Sequence, residues 1–247
     1  AYAASQGIER FAAIAPRTAY GEIALSEFNR AVAQNQRTVV AAELYSPSGA
    51  TDFSQLVRNF VSFDKRAAQL EAQRAALGAR TDEAALRTLE QLEGQKTAGD
   101  VGFDALILPD GAGGALLSIA PFLPFYDVQA PTVRLLGTGL WDEPATLTEP
   151  ALSGGWFASP EPAQRQAFER DFAQSYGQSP QRLATLAYDA AALAAVLARS
   201  QTADPFGAES IADPAGFVGV DGVFRFRPHG VVARSFAVLE VVEGGAR

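Results

Sequence analysis

Cysteine is absent from the 247 residues, and histidine occurs once, at position 229. The first absence removes disulfide scaffolds, thiolate zinc sites, iron–sulfur centres and thiol chemistry together. The second removes any histidine-based metal cluster, and Pro228 and Gly230 on either side give His229 the setting of a turn residue. No apolar run approaches the ~18 residues of a membrane span. The opening AYAASQGIERF has neither the basic region nor the cleavage site of a signal peptide, so the sequence reads as a soluble chain. Basic residues are outnumbered, 20 against 28 acidic, and form no run, which argues against nucleic acid or an anionic membrane surface as a partner. Catalytic signatures are missing as well: there is no GxSxG, HExxH or EF-hand loop, and nothing announces a convergent acid, base or nucleophile.

What remains is a globular composition, with 48% hydrophobic and 19% charged residues and 16 Phe. The length fits one large domain or two unequal lobes. Phe11 to Ala15 is an apolar run stopped by Pro16, and from Tyr20 the side chains Leu25, Phe28 and Val32 recur at helical spacing. Thr38 to Tyr45 reads as a strand, SPSGATD as a turn, and Thr51 or Asp52 as the cap of a helix. That helix carries Phe53, Leu56, Val57, Phe60 and Val61 on one stripe.

Residues 62–99 are rich in Gln, Glu, Arg, Ala and Lys, with only Leu70, Leu77, Leu86, Leu89 and Leu92 to bury. They read as two polar helices ending near Gly78 and Gly94, a helical excursion with a solvated surface. Phe103 to Leu108 has the continuous apolar character of a strand covered on both faces, with a helix at 114–123 behind it. Further strands are expected at Val133 to Leu136 and Gly155 to Ala158, which makes the fold α/β with right-handed crossovers and a doubly wound parallel sheet. After Pro160 come two helices, one lined by Phe168, Phe172 and Tyr176, the other started by Pro180 and striped by Leu183, Leu186, Leu193 and Leu197. Val223 to Arg227 and Ser235 to Val242 read as a C-terminal β-hairpin about the PHG turn.

Gly111, Gly113 and Gly114 lie between a buried strand and a helix, where backbone amides can face an anion, but GAGGAL lacks the last glycine of a dinucleotide fingerprint and the P-loop lysine. No cofactor is therefore expected. Ligands of open α/β sheets bind beyond the carboxyl ends of the strands, which singles out Tyr20, Asp110, Thr138 and Trp141 as cleft residues.

The ordered set FAAIAPRTAYGEIALSEF, TVVAAELYSPSGATDFSQLVRNF, FDALILPDGAGG, VRLLGTGLWD, LATLAYDAAALAAVLA and GVDGVFRFRPHGVV resembles the type I periplasmic solute-binding fold in its leucine/isoleucine/valine-binding branch. The resemblance implies a non-enzymatic protein of the bacterial envelope, in the periplasm or anchored to the outer membrane. It implies a second lobe at 1–158 with an insertion at 62–99, and an incomplete first lobe with the β-hairpin at 159–247. By position, Tyr20, Asp110 and Thr138 match second-lobe ligand contacts of amino-acid binders, with Thr138 where such proteins often carry an acidic group. A receptor of this kind binds a small polar solute, an amino acid or peptide, and hands it to a membrane permease of the ABC class. The long excursion, LLGTGLWD and GVFRF also resemble the penicillin-binding protein activators, envelope lipoproteins whose partner is a peptidoglycan synthase.

Overall fold

The computed structural model describes residues 1–47, 49, 51–181 and 183–247; Ser48 and Ala50, in the expected SPSGATD turn, lie outside the described residues, as do the side chains of Ala163, Gln164 and His229. In chain order come α1 (Tyr2–Ser5), β1 (Arg10–Pro16), α2 (Ala19–Gln34), β2 (Thr38–Tyr45), α3 (Phe53–Phe60), α4 (Phe63–Gly78) and α5 (Glu83–Leu92). There follow β3 (Ala105–Leu108), α6 (Leu116–Ile119), α7 (Phe122–Phe125), β4 (Arg134–Gly137), α8 (Pro144–Leu147) and β5 (Trp156–Ser159). The chain ends with α9 (Pro162–Tyr176), α10 (Ala184–Ala198), α11 (Ala208–Ile211), β6 (Phe217–Gly219), β7 (Gly222–Phe226), β8 (Val232–Arg234), β9 (Ala237–Val242) and β10 (Gly245–Ala246). Two compact units divide it, Ala1–Phe157 with Glu240–Arg247, and Ala158–Leu239.

The first unit is built on a seven-stranded sheet in the order β10-β9-β5-β4-β3-β1-β2, parallel from β2 to β5 and antiparallel where β10 meets β9. Between β3 and the edge strand β2 lies β1, buried from Phe11 to Pro16, as an uninterrupted apolar strand must be when helices cover both faces. Phe11 packs with Val32 of α2 and Ala105 of β3, and Ile8, Phe28 and Val39 close round them. Capping sets where the helices begin. Thr18 Oγ1 accepts the Gly21 amide at 3.1 Å to start α2, and Asp52 Oδ1 accepts the Gln55 amide at 3.0 Å to start α3, which decides between the two expected caps.

The excursion forms as α4 and α5, packed on each other through Leu70, Leu92 and Ala98 with Leu77 beside them. Leu86, expected to be buried, is half exposed, and Ala85 takes the inward position. The pair is pinned to the sheet body more firmly than a solvated hairpin would be. Arg66, 8% exposed, donates to the Val61 carbonyl at 3.1 Å and to Asp127 Oδ2 at 2.7 Å, and Thr97 Oγ1 donates to the same carboxylate oxygen at 2.7 Å.

Three expectations are corrected by the backbone. The single helix at 114–123 is two short ones, α6 and α7, because Pro121 has no amide to continue the first. The second helix after Pro160 begins at Ala184, not Pro180, entered through turns in which Ala184 and Leu186 donate to the carbonyls of Gln181 and Leu183. The C-terminal hairpin pairs β7 with β8, residues 232–234, and the segment expected as its second strand leaves as β9 to join the large sheet, where the Val241 amide donates to the Gly155 carbonyl at 2.8 Å.

The second unit carries α9, α10 and the antiparallel sheet β6-β7-β8. Asp189 of α10, 4% exposed, joins them: it accepts the Val220 amide at 2.7 Å and Arg234 Nη1 at 2.9 Å, while Thr185 donates to Asp221 at 2.6 Å. The aromatic stripe of α9 is present, with Phe168 against Phe172 and Tyr188, and Phe172 against Tyr176. Tyr176, Leu183 and Tyr188 around these helices are each more than half exposed.

Candidate functional site

The carboxyl ends of β1, β2 and β3 open into a cavity of about 420 Å³ whose lining includes Pro16, Thr18, Tyr20, Phe53, Asp110 and Ser118. Its position follows from the topology, since parallel strands deliver their following loops to one edge of the sheet. Two close approaches shape it. A Cβ on Gly21 would lie 2.0 Å from the Pro16 carbonyl oxygen, so the Tyr20-Gly21 pair brings α2 against the end of β1 as only glycine allows. A Cβ on Gly114 would lie 2.1 Å from Asp110 Oδ1, so the glycine-rich loop wraps its own aspartate.

Asp110 Oδ1 accepts the Gly111 amide at 2.8 Å, and Oδ2 accepts the Ala115 amide at 2.8 Å and the Tyr45 hydroxyl. Two amides of the loop, those of Gly111 and Ala115, are thus occupied by the loop's own side chain, and the Gly114 amide donates to the Gly111 carbonyl at 3.0 Å. Tyr45 is 2% exposed. Burial, reinforced by the hydrogen bond to Asp110, pushes its phenol well above the usual tyrosine range. Sequence reading left out Tyr45; its place as the last residue of a strand that ends at the cavity was the available signal.

The four expected cleft residues divide. Tyr20, 46% exposed, lines the cavity, and its hydroxyl donates to Thr138 Oγ1 at 2.9 Å, so β4's following turn meets the start of α2. Thr138 also caps the 3₁₀ turn Gly139–Trp141 by accepting the Leu140 amide. Asp110 lines the cavity as described. Trp141 does not: it is fully buried, its indole N–H donates to the Leu108 carbonyl at 3.1 Å, and its ring occupies the space a Cβ would need on Gly137 or Gly155. A large ring with its one polar atom satisfied inside is a packing residue. Among the described residues no group of acidic or histidine side chains could hold a metal ion, and no helix is long and apolar enough to cross a membrane.

The sequence profile of the periplasmic binding proteins matches residues 1–246. The chain belongs to the periplasmic binding protein family. It is a family of binding proteins, not of enzymes. Solved members resemble the chain over its whole length at low identity. A candidate branched-chain amino acid ABC transporter from Rhodospirillum rubrum superposes with a TM-score of 0.68 at 18% identity, covering 100% of this chain and 62% of its own. An ABC transporter substrate-binding protein from Desulfitobacterium hafniense in complex with Leu gives 0.60 at 18%, again with 100% and 62% covered. A solute-binding protein of an ABC transporter from R. palustris in complex with benzoate gives 0.61 at 18%, with 100% and 59% covered. No curated protein matches. The chain therefore spans about three fifths of the length of the solved relatives, and the fold is the α/β periplasmic-binding-protein fold expected.

Proposed function

We propose that the protein is a substrate-binding protein of the branched-chain amino acid ABC-transporter type, working in the periplasm, and that the cavity at the ends of β1, β2 and β3 is one wall of its solute site. The observation that carries the reading is that cavity, at the strand edge where open α/β sheets take ligands, in a chain matched to the family over residues 1–246. Tyr20 is the direct contact, Thr138 fixes its hydroxyl, and Asp110 with Tyr45 holds the floor of the site in shape. The solute is bound and released unchanged, and its acceptor is a membrane permease.

A thermal-shift panel of amino acids, aromatic acids and short peptides tests the reading, because a ligand that binds only the native state raises the melting temperature by mass action. One solute class is expected to raise it in proportion to the logarithm of its concentration, and to lose most of that effect in Tyr20→Ala. A panel without any shift removes the reading.

A second reading draws on α4 and α5, which are fixed to the body by Arg66 and Asp127 and present a polar outer surface. Such a surface suits a penicillin-binding protein activator docking on a peptidoglycan synthase. The rate of a purified synthase with and without the protein decides it; an unchanged rate discards this reading.

A further inference from the structure

At the other end of β2 from the solute cavity, the start of that strand and the last turns of α2 enclose a groove of about 490 Å³, and the two share no lining residue. A tight reversal brings the chain there. Gln36 takes a left-handed conformation with φ 55°, and the Arg37 amide donates to the Val32 carbonyl at 3.1 Å, so the chain leaving α2 turns back along it and sets Arg37 at the head of the strand. Because β2 is the last strand of the sheet, no further strand covers this edge among the described residues.

Arg37 is the one charged side chain in the lining of the groove. Its Nε is buried and has no hydrogen-bond partner among the described residues. Other arginines of the same unit are matched, Arg10 by Asp100 and Asp104, Arg58 by Asp64 and Arg66 by Asp127. A buried guanidinium donor without an acceptor is costly, and its planar fork fits a carboxylate better than any other common group. The rest of the lining is mostly aliphatic and holds no aromatic ring: Val32, Ala33, Val39, Val40, Ala41 and Ala42 offer methyl groups, which suit an alkyl chain rather than a stacked ring. Val40 is 45% exposed, so this hydrocarbon surface meets solvent.

We infer that the groove is a second binding site, for an aliphatic monocarboxylate. The carboxylate accepts from Arg37 Nε–H, and the alkyl chain covers the valine and alanine side chains of β2 and α2. Charge complementarity decides the head group, since the lining offers a cation and no acid. The site is independent of the solute cavity and of the function proposed for it.

Titration of isotopically labelled protein with submicellar octanoate, acetate, octanol and octylamine tests the inference, read at the arginine Nε–Hε and valine methyl resonances. Octanoate is expected to move the Arg37 Nε–Hε resonance together with the methyls of Val32, Val39 and Val40. It is expected to bind about tenfold or more tighter than acetate, which lacks the chain, and than octanol or octylamine, which lack the carboxylate. Arg37→Gln is expected to lose octanoate affinity by about tenfold or more while its denaturant midpoint stays at or above that of the wild type, because the change removes an unpaired donor and breaks no bond. Arg37→Lys keeps the charge without the fork and is expected to fall between the two. Tyr20→Ala, which alters the solute cavity, is expected to bind octanoate as the wild type does. Equal binding of acetate would mean an adventitious ion only, and equal binding of octanol an apolar patch only; either overturns the inference. So do octanoate that leaves these resonances unmoved, undiminished affinity in Arg37→Gln, and loss of octanoate binding in Tyr20→Ala, which would place the acid in the solute cavity.

Discussion

Gly21 and Gly78 both sit in helices, at opposite ends of α2 and α4, and replacing either by alanine would ordinarily gain up to ~1 kcal/mol from helix propensity alone. Their surroundings reverse the sign at one of them. A Cβ at Gly78 meets nothing within 4 Å, whereas at Gly21 it would lie 2.0 Å from a backbone oxygen of β1, which cannot swing aside as a side-chain end would. Gly78→Ala is expected to raise the denaturation midpoint slightly and Gly21→Ala to lower stability by about 3 kcal/mol, the upper range of overpacking; equal behaviour of the two variants would contradict the close approach. Tyr45 sets a pH dependence at the same scale. Its folded phenol is raised by burial and by Asp110, while the unfolded phenol ionises near ~10. The stability it contributes is therefore complete below ~10 and lost as pH rises above it toward the folded value, because the unfolded chain then releases a proton that the folded one keeps. Denaturant midpoints followed upward from neutral pH are expected to fall more steeply in the wild type than in Tyr45→Phe, and parallel curves would refute the assignment.

At the scale of elements, α4 and α5 show how a polar excursion is fixed. Arg66 is buried and meets Asp127, whose side chain is 37% exposed, so removing the guanidinium costs less than the 3–5 kcal/mol of a fully buried pair. Arg66→Ala is expected to cost about 2 kcal/mol and to raise amide hydrogen exchange in α4 and α5 ahead of β1 and β3; unchanged protection would mean that Leu70, Leu92 and Ala98 hold the hairpin without the ion pair. That anchoring could not be read from the sequence, where Arg66 is one basic residue among many and Asp127 lies far along the chain. Periodic apolar stripes and turn residues were readable: β1 by its unbroken apolar run, α3 by Phe53 to Val61, and the end of α9 by Gly177, which adopts a left-handed conformation with φ 70°. The candidate site was readable only by position. Tyr20, Asp110 and Thr138 lie at strand ends and two of them share a hydrogen bond, but Trp141 at an equivalent place turned inward because Gly137 and Gly155 leave room for its ring. Glycines flanking an aromatic residue in space are separated in sequence, so the pattern carried no local signal. Strand pairing escaped for the same reason, and β9 went to the large sheet rather than to the nearer β7.

The whole molecule divides into units of unequal core. Within Ala1–Phe157 the buried apolar side chains run from Phe11 through Leu70, Leu106, Leu123 and Trp141 to Phe157, whereas among the described residues of Ala158–Leu239 they are Leu197, Phe224 and Leu239. Burial contributes roughly 1.5–3 kcal/mol for each large apolar side chain, so the second unit has little of that term to set against its chain entropy. It depends instead on the polar link from Asp189 to Val220 and Arg234, in which Asp189 is 4% and Arg234 11% exposed as side chains. Asp189→Ala leaves a buried guanidinium and a buried amide without this acceptor, a loss of about 3–5 kcal/mol confined to the second unit. The chain is its own reporter for the split, because its two tryptophans, Trp141 and Trp156, both belong to the first unit. Tryptophan emission then follows the first unit while far-ultraviolet circular dichroism follows both. In the wild type the dichroism is expected to begin its thermal transition below the emission, and Asp189→Ala to widen the interval by moving only the early phase. Coincident transitions in both proteins would mean that the chain melts as one cooperative body, with the stability of the second unit drawn from the first.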